Sequence, residues 1–273
     1  MRLLRFITRF TGLLIVFLYG IPLVSTLVLI RAVSTKSHER AVVWAGRHWF
    51  RLLARVLSLR ISSEGQPAPG PVLIAANHVS WLDIVVMGQW IGPHFISKSE
   101  VANWPIMGWF ARNAGTLFIE RGQHDSAARA IDAMTWRLKR GDELLFFPEG
   151  TTSGGEGIRR FKPRLFQPAV RVNASVQPVS ITYRLESIQA GADWDAVQFI
   201  DGYSFMQSII GVCWKSSTAI HVTWHPAFPV EHTELRDIAT RAEQAVATGI
   251  ESTQARLGFG PAGEPASERQ SSH

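Results

Sequence analysis

Thr11 to Ile30 is a run of twenty residues without a charge, set between Arg9 and Arg31. As a helix it would rise about 30 Å, the thickness of a bilayer's hydrocarbon core. Pro22 lies near its middle and predicts a kink or a division in two. The segment therefore reads as a membrane helix that either spans or dips into one leaflet and returns. A secretory signal competes for the same run, because Arg2, Arg5 and Arg9 precede it. Against that, the run exceeds the usual apolar core of a signal, and no small-x-small cleavage site follows. From His38 to Leu59 the pattern becomes amphipathic: Arg47, Arg51 and Arg55 recur every four residues beside Val42, Val43, Trp49, Phe50, Leu52, Leu53, Val56 and Leu57. A basic helix with aromatics on its apolar side suits the plane of a membrane surface. The plainer alternative is a helix packed on the rest of the chain with a solvated arginine face.

Ser62 to Pro71 is rich in Gly and Pro and reads as a linker or tight turn. It separates N-terminal helices (1–60) from a catalytic unit (61–257). Beyond it, β-prone runs at Val72–Ala76, His94–Ser97, Thr116–Ile119, Leu144–Phe147, Val176–Tyr183 and Ala219–Thr223 alternate with helical patterns. The helical patterns are Trp81–Trp90, Ile106–Asn113, Ser126–Arg140, Phe161–Val172 and Glu234–Gln254. This alternation predicts an α/β fold, a central and largely parallel sheet flanked by helices, with the N-terminal helical segment as membrane anchor. Residues 258–273 turn polar and rich in Gly, Pro and Ser, the composition of a disordered tail.

Composition sharpens the membrane reading. Hydrophobic residues make up 46% and charged residues 18% of the 273, which is apolar for a soluble enzyme, and ten tryptophans favour an interface with one wet side. The net charge of +6 suits a polyanionic partner. Nucleic acid fits poorly, since the basic residues gather beside the membrane segment and no motif of a known reader appears. The single cysteine, Cys213, rules out an internal disulfide and a Cys-rich zinc site, and reads as a small buried hydrophobe.

The candidate chemistry lies where strands end, the place where open α/β sheets bind ligands. After Val72–Ala76 comes Asn77-His78-Val79-Ser80-Trp81-Leu82-Asp83. A histidine can take a proton near neutral pH, and an aspartate can fix its tautomer. On one continuous helix, residues five apart stand roughly 140° apart and do not meet. They meet if His78 lies in the turn and Asp83 in the first turn of the next helix, with Ser80 as N-cap. Ser80-Trp81-Leu82-Asp83 also fits a capping box, so Asp83 either orients His78 or only caps. Phe118-Ile119-Glu120-Arg121 ends a second strand with a forked cation suited to phosphate or carboxylate. Lys98 follows another strand. Phe147-Pro148-Glu149-Gly150-Thr151-Thr152-Ser153 ends a third, where a glycine turn with exposed amides and hydroxyls can cradle an oxyanion. There Glu149 either orients a substrate hydroxyl, holds a neighbouring base or caps the turn. Arg159, Arg160, Lys162 and Arg164 follow. No G-x-S-x-G elbow, phosphate-binding loop or H-E-x-x-H pair is present.

These clusters, in this order, resemble the glycerolipid acyltransferase family typified by 1-acylglycerol-3-phosphate acyltransferases. His78 and Asp83 match its His-four-residues-Asp motif, Phe118 to Arg121 its second block, Phe147 to Thr151 its third and Gln177-Pro178-Val179-Ser180 its fourth. Lys98 to Arg121 is similar to the family throughout. Thr152 stands where the third block often carries arginine, a variant similar to a branch that includes lyso-ornithine-lipid acyltransferases. The resemblance implies transfer of a fatty acyl group from acyl carrier protein or coenzyme A to a lysolipid's free hydroxyl. In that reaction His78 is the base and Asp83 its orienter. Arg121, Glu149, Gly150, Thr151 and Lys98 bind substrate, and no metal or cofactor is required. It also implies membrane lipids as partners and a catalytic unit on the cytoplasmic face of the inner membrane. Two rivals stand beside it: a hydrolase using Ser80 or Ser153 with His78, and a non-enzymatic binder of anionic lipid.

Overall fold

The computed structural model describes residues 1–104, 106–119, 126–153, 157–185 and 205–258. Two long helices, α1 (Arg2–Val33) and α2 (Thr35–Val56), precede strand β1 (Leu59–Glu64) and then β2 (Val72–Ala76). Helix α3 (Leu82–Ile91), β3 (Ile96–Lys98), α4 (Ser99–Ala102), α5 (Met107–Asn113), β4 (Leu117–Ile119), α6 (Ser126–Lys139) and β5 (Glu143–Phe146) follow. A 3₁₀ turn (Pro163–Phe166) leads to α7 (Gln167–Val172), β6 (Ser175–Leu185), α8 (Phe205–Trp214), β7 (Thr218–Trp224) and α9 (Leu235–Leu257). The main sheet runs β1-β7-β6-β2-β5, and β3 pairs with β4 in a small parallel sheet beside it. Among the described strands only β6 and β7 pair antiparallel.

β2 shows why this is an α/β sandwich: all five of its residues are fully buried, as expected for a strand covered on both faces. Successive side chains point to opposite faces. Val72, Ile74 and Ala76 join a core with Trp49, Phe50, Val85, Val86, Tyr183 and Val212, under α1, α2, α3 and α8. Leu73 and Ala75 join a second core with Met134, Leu138, Phe161, Phe166 and Val246, under α6, α7 and α9.

Several expectations need correction. The second helix ends at Val56, and Leu59–Glu64, read as helix end and linker, is strand β1 at the sheet's edge, in parallel register with Thr218 to Thr223. Its polar alternation disguised it. The segment Phe161–Val172 is a 3₁₀ turn followed by a short helix rather than one helix. Helix α8 was not anticipated, because its sequence is apolar without a clear period. Helix α1 runs unbroken through Pro22. Its buried stripe, Leu13, Val16, Gly20, Val24 and Leu27, faces the protein, while Leu3, Leu4, Ile7, Leu14, Ile15, Leu18 and Leu29 are exposed. Residues 259–273, read as a tail, lie outside the described residues.

Candidate active site

The site starts where β2 ends. The Asn77 carboxamide extends the β2–β6 pairing by one more rung, donating to the Ile181 carbonyl at 2.9 Å and accepting from its amide at 2.7 Å. That fixes the chain direction into His78. The His78 Nδ1 lies 2.8 Å from Asp83 Oδ2. Asp83 sits in the first turn of α3 and is fully buried, so the turn-then-helix placement brings together two residues that one helix would hold apart. The same Oδ2 accepts from the amides of Val79 at 2.8 Å and Ser80 at 2.9 Å. Asp83 therefore ties the turn that leads into its helix and orients His78 at once; the local and the orienting role are not alternatives. The N-cap position falls on Trp81 and not, as expected, on Ser80, whose hydroxyl lies 3.3 Å from the Leu82 amide.

The other oxygen of Asp83, Oδ1, accepts a short hydrogen bond from the Tyr183 hydroxyl. Every partner of the Asp83 carboxylate is thus a donor, as suits an anion. Burial, then the neighbouring Asp83 charge, holds the Tyr183 phenol well above its ordinary value, so it remains an O–H donor. With Nδ1 turned to the carboxylate, its hydrogen points there and Nε2 carries the lone pair. The ring stacks on Phe147 at 3.9 Å and 12°, and the side chain is 19% exposed. Among the described residues nothing hydrogen-bonds to Nε2 of this partly buried ring.

The third block grips the backbone of the same histidine. Phe147 to Gly150 form a tight turn, Gly150 N donating to Phe147 O at 3.1 Å, with Pro148 second and Gly150 last. Gly150 has φ +78°, and a side chain there would meet the Lys162 amine at 2.5 Å. Glu149, 3% exposed, accepts from the His78 amide at 2.7 Å and from the Arg159 amide at 2.9 Å. Burial pushes its carboxyl up, against the pull of those two amides. The Ser153 amide, at 2.7 Å, and its hydroxyl, at 3.2 Å, both donate to the His78 carbonyl. Both oxygens of Glu149 accept from main chain, so it holds the backbone of its neighbour His78 in place.

The structure brings His78, Asp83, Glu149, Gly150 and Thr151 to one end of the sheet. Lys98 closes β3 with its backbone in register with Ile119, two residues before Arg121. Arg121 itself lies outside the described residues, as does the Lys98 side chain. The residue sequence reasoning missed is Tyr183. Its signal was a phenol in a β-prone run, a group that needs a partner once buried. Among the described residues no three His, Cys, Asp or Glu side chains gather in a way that could hold a metal ion.

A family model described as Acyltransferase matches residues 59–182, which contain all of this geometry except Tyr183. A lyso-ornithine lipid O-acyltransferase of Pseudomonas aeruginosa is 36% identical over 211 residues, 77% of this chain and 79% of that protein. The chain belongs to the acyltransferase family. A 1-acyl-sn-glycerol-3-phosphate acyltransferase of Neisseria gonorrhoeae is 40% identical to this acyltransferase over 148 residues, 54% of this chain and 57% of that protein. The crystal structure of the 1-acyl-sn-glycerophosphate acyltransferase PlsC of Thermotoga maritima superimposes with a TM-score of 0.71 over 94% of this chain and 99% of that one. At 21% identity, that likeness speaks for the fold.

Proposed function

We propose that the protein moves a fatty acyl group from an acyl thioester, of acyl carrier protein or coenzyme A, to the free hydroxyl of a lysolipid. The acceptor we put first is 1-acylglycerol-3-phosphate, giving phosphatidate. The observation that carries this reading is the 2.8 Å His78–Asp83 contact, which leaves Nε2 of the partly exposed ring for a substrate hydroxyl. His78 Nε2 takes the proton of that hydroxyl as its oxygen attacks the thioester carbonyl. The tetrahedral intermediate then expels the carrier's thiolate, which recovers the proton from His78. Asp83 stabilises the imidazolium between the two steps. No acyl-enzyme forms and the thioester is the only co-substrate. Ser80 is fully buried and Ser153 turns its hydroxyl to the His78 carbonyl rather than to the ring, which disfavours both nucleophiles of the hydrolase rival.

The acceptor's anionic head group falls to cations near the third block. Lys162, its stem across Gly150, Arg159, tied by its amide to Glu149, and the exposed Arg160 are among the described ones, and Arg121 and Lys98 join them by resemblance. The buried stripe of α1 runs from Arg9 to Leu27, about 27 Å at 1.5 Å per residue, so the helix lies along the protein. Its exposed apolar side then sits in one leaflet, the cytoplasmic leaflet of the inner membrane, where acyl thioesters are available.

A second acceptor, lyso-ornithine lipid, is favoured by the name of the 36% identical relative and by Thr152. Purified enzyme in mixed micelles, offered both thioesters against both acceptors, decides between them. His78→Ala should lower turnover by about 10²–10⁴, the worth of a positioned base. Free fatty acid in place of acylated lipid would overturn the transfer reaction, and near-normal turnover by folded His78→Ala would overturn its base.

A further inference from the structure

Helix α8 carries no charged residue from Phe205 to Trp214. Its inner side is committed to the protein. Ser208, fully buried, accepts from the Trp81 indole at 2.8 Å, and Phe205 sets its ring against Trp81 at 5.5 Å and Trp104 at 4.6 Å. Its outer side is mostly apolar: Met206 is 58%, Ile210 38% and Trp214 39% exposed, with Gln207 the one exposed polar side chain of the helix. Those three stand four residues apart and so form one stripe.

That stripe does not end with the helix. Trp214 stacks on Phe6 of α1 at 4.5 Å, and Phe6 on Phe10 at 5.7 Å, beside the exposed Leu3 and Ile7. Arg9 locks the junction, donating to the carbonyls of Val212 at 3.1 Å, Lys215 at 2.7 Å and Ser216. These are carbonyls at and just past the end of α8, groups a helix leaves unpaired, and a cation there also suits the helix dipole. The two helices therefore present one continuous apolar surface in a fixed relation.

We infer that the outer face of α8 is a second lipid-contacting element, which enters the bilayer interface together with α1. An apolar surface that carries no charge on α8, has Arg2 and Arg5 at its α1 end and is edged by tryptophan matches the boundary between headgroup and acyl chain. The inference rests on the membrane reading of α1 and adds to it a position. Through Ser208 and Phe205 on Trp81, three residues from His78, α8 sets the membrane against the side of the protein that holds the catalytic turn.

The test places a polarity-sensitive fluorophore on cysteine at Met206→Cys, Ile210→Cys or Leu14→Cys, each in full-length Cys213→Ser protein. Added vesicles of phosphatidylethanolamine and phosphatidylglycerol should blue-shift all three probes, and brominated lipid should quench them. The exposed His232→Cys should respond to neither. A shift at Leu14 without one at 206 and 210 overturns the inference while leaving α1 in the membrane. No shift at any position overturns both. A shift at 206 that depends on protein concentration and not on lipid assigns the face to a second copy instead, and likewise overturns it. Met206→Asp with Ile210→Asp should lose about tenfold in activity on vesicle-borne acceptor and keep its rate on a short-chain, water-soluble one. Equal loss on both would mean that α8 serves the fold alone.

Discussion

At the scale of single residues, the site is an arrangement for holding one imidazole. Asp83 fixes its ring, Glu149 its amide and Ser153 its carbonyl. Tyr183 acts one step further out, through Asp83 Oδ1. Tyr183→Phe keeps the ring and its packing but leaves a buried carboxylate oxygen without its donor, a loss of about 1.5–3 kcal/mol for a bond to a charged group. We expect kcat to fall about tenfold with KM nearly unchanged, and ¹⁵N NMR of His78 to show a mixed tautomer in place of one. An unchanged spectrum with full turnover would mean that Tyr183 only fills space. Glu149→Gln is a different case. Its two oxygens each accept from a backbone amide, and an amide side chain offers one acceptor and one donor, so one N–H must lose its partner. Activity should drop by about tenfold or more while the protein, relieved of a buried charge, loses little stability. Circular dichroism melts beside steady-state kinetics separate the two.

At the scale of elements, the third-block turn and the first-block turn form one unit, because the loop 147–153 satisfies the main-chain groups of His78. Gly150→Ala tests that unit. A left-handed φ costs a non-glycine residue roughly 1–2 kcal/mol, and the new methyl would push the Lys162 amine aside. Denaturant melts should show that loss, and KM for an anionic acceptor should rise by more than kcat falls. The same elements show how far the sequence was legible. Val72–Ala76 and its polar sequel could be read because a strand buried on both faces is uniformly apolar and stops abruptly. Asp83 looked ambiguous because a linear pattern forces a choice between cap and orienter, whereas one carboxylate oxygen accepts from His78, Val79 and Ser80 together. Tyr183 is a hundred residues from Asp83, and no spacing rule joins them. Strand β1 hid behind Ser62, Ser63 and Glu64, since an edge strand with one wet side reads as a linker. Helix α8 hid for the opposite reason: it touches protein on one side and bears an apolar stripe on the other, so no polar face marked its period.

At the scale of the whole molecule, stability should depend on pH through His94, which lies away from the catalytic groups, just before β3. Burial, and next the nearby Arg137 charge, lower it from 6.5 to about 4. The folded state thus prefers the neutral ring. Its contribution is present above pH 6.5 and is lost as pH falls toward 4, up to about 3 kcal/mol. His94→Gln should flatten that acid limb, so urea denaturation at pH 7 and pH 4 should show a smaller drop for the variant. An equal drop would place the proton uptake elsewhere.

The Arg9 junction also bears on how a water-soluble form of this enzyme could be made. Deleting α1 is the obvious route, but Arg9 is the donor that satisfies the last carbonyls of α8, and α8 in turn supports Trp81 beside the catalytic turn. A truncated chain would leave those carbonyls and Cys213 uncovered and slacken the platform under His78. Recolouring the helix keeps the scaffold: polar residues at the exposed Leu4, Leu14, Leu18 and Leu29, with Arg9, Leu13, Val16 and Gly20 left alone, remove the grease and keep the clamp. In this protein the apolar N-terminal helix is part of the chassis.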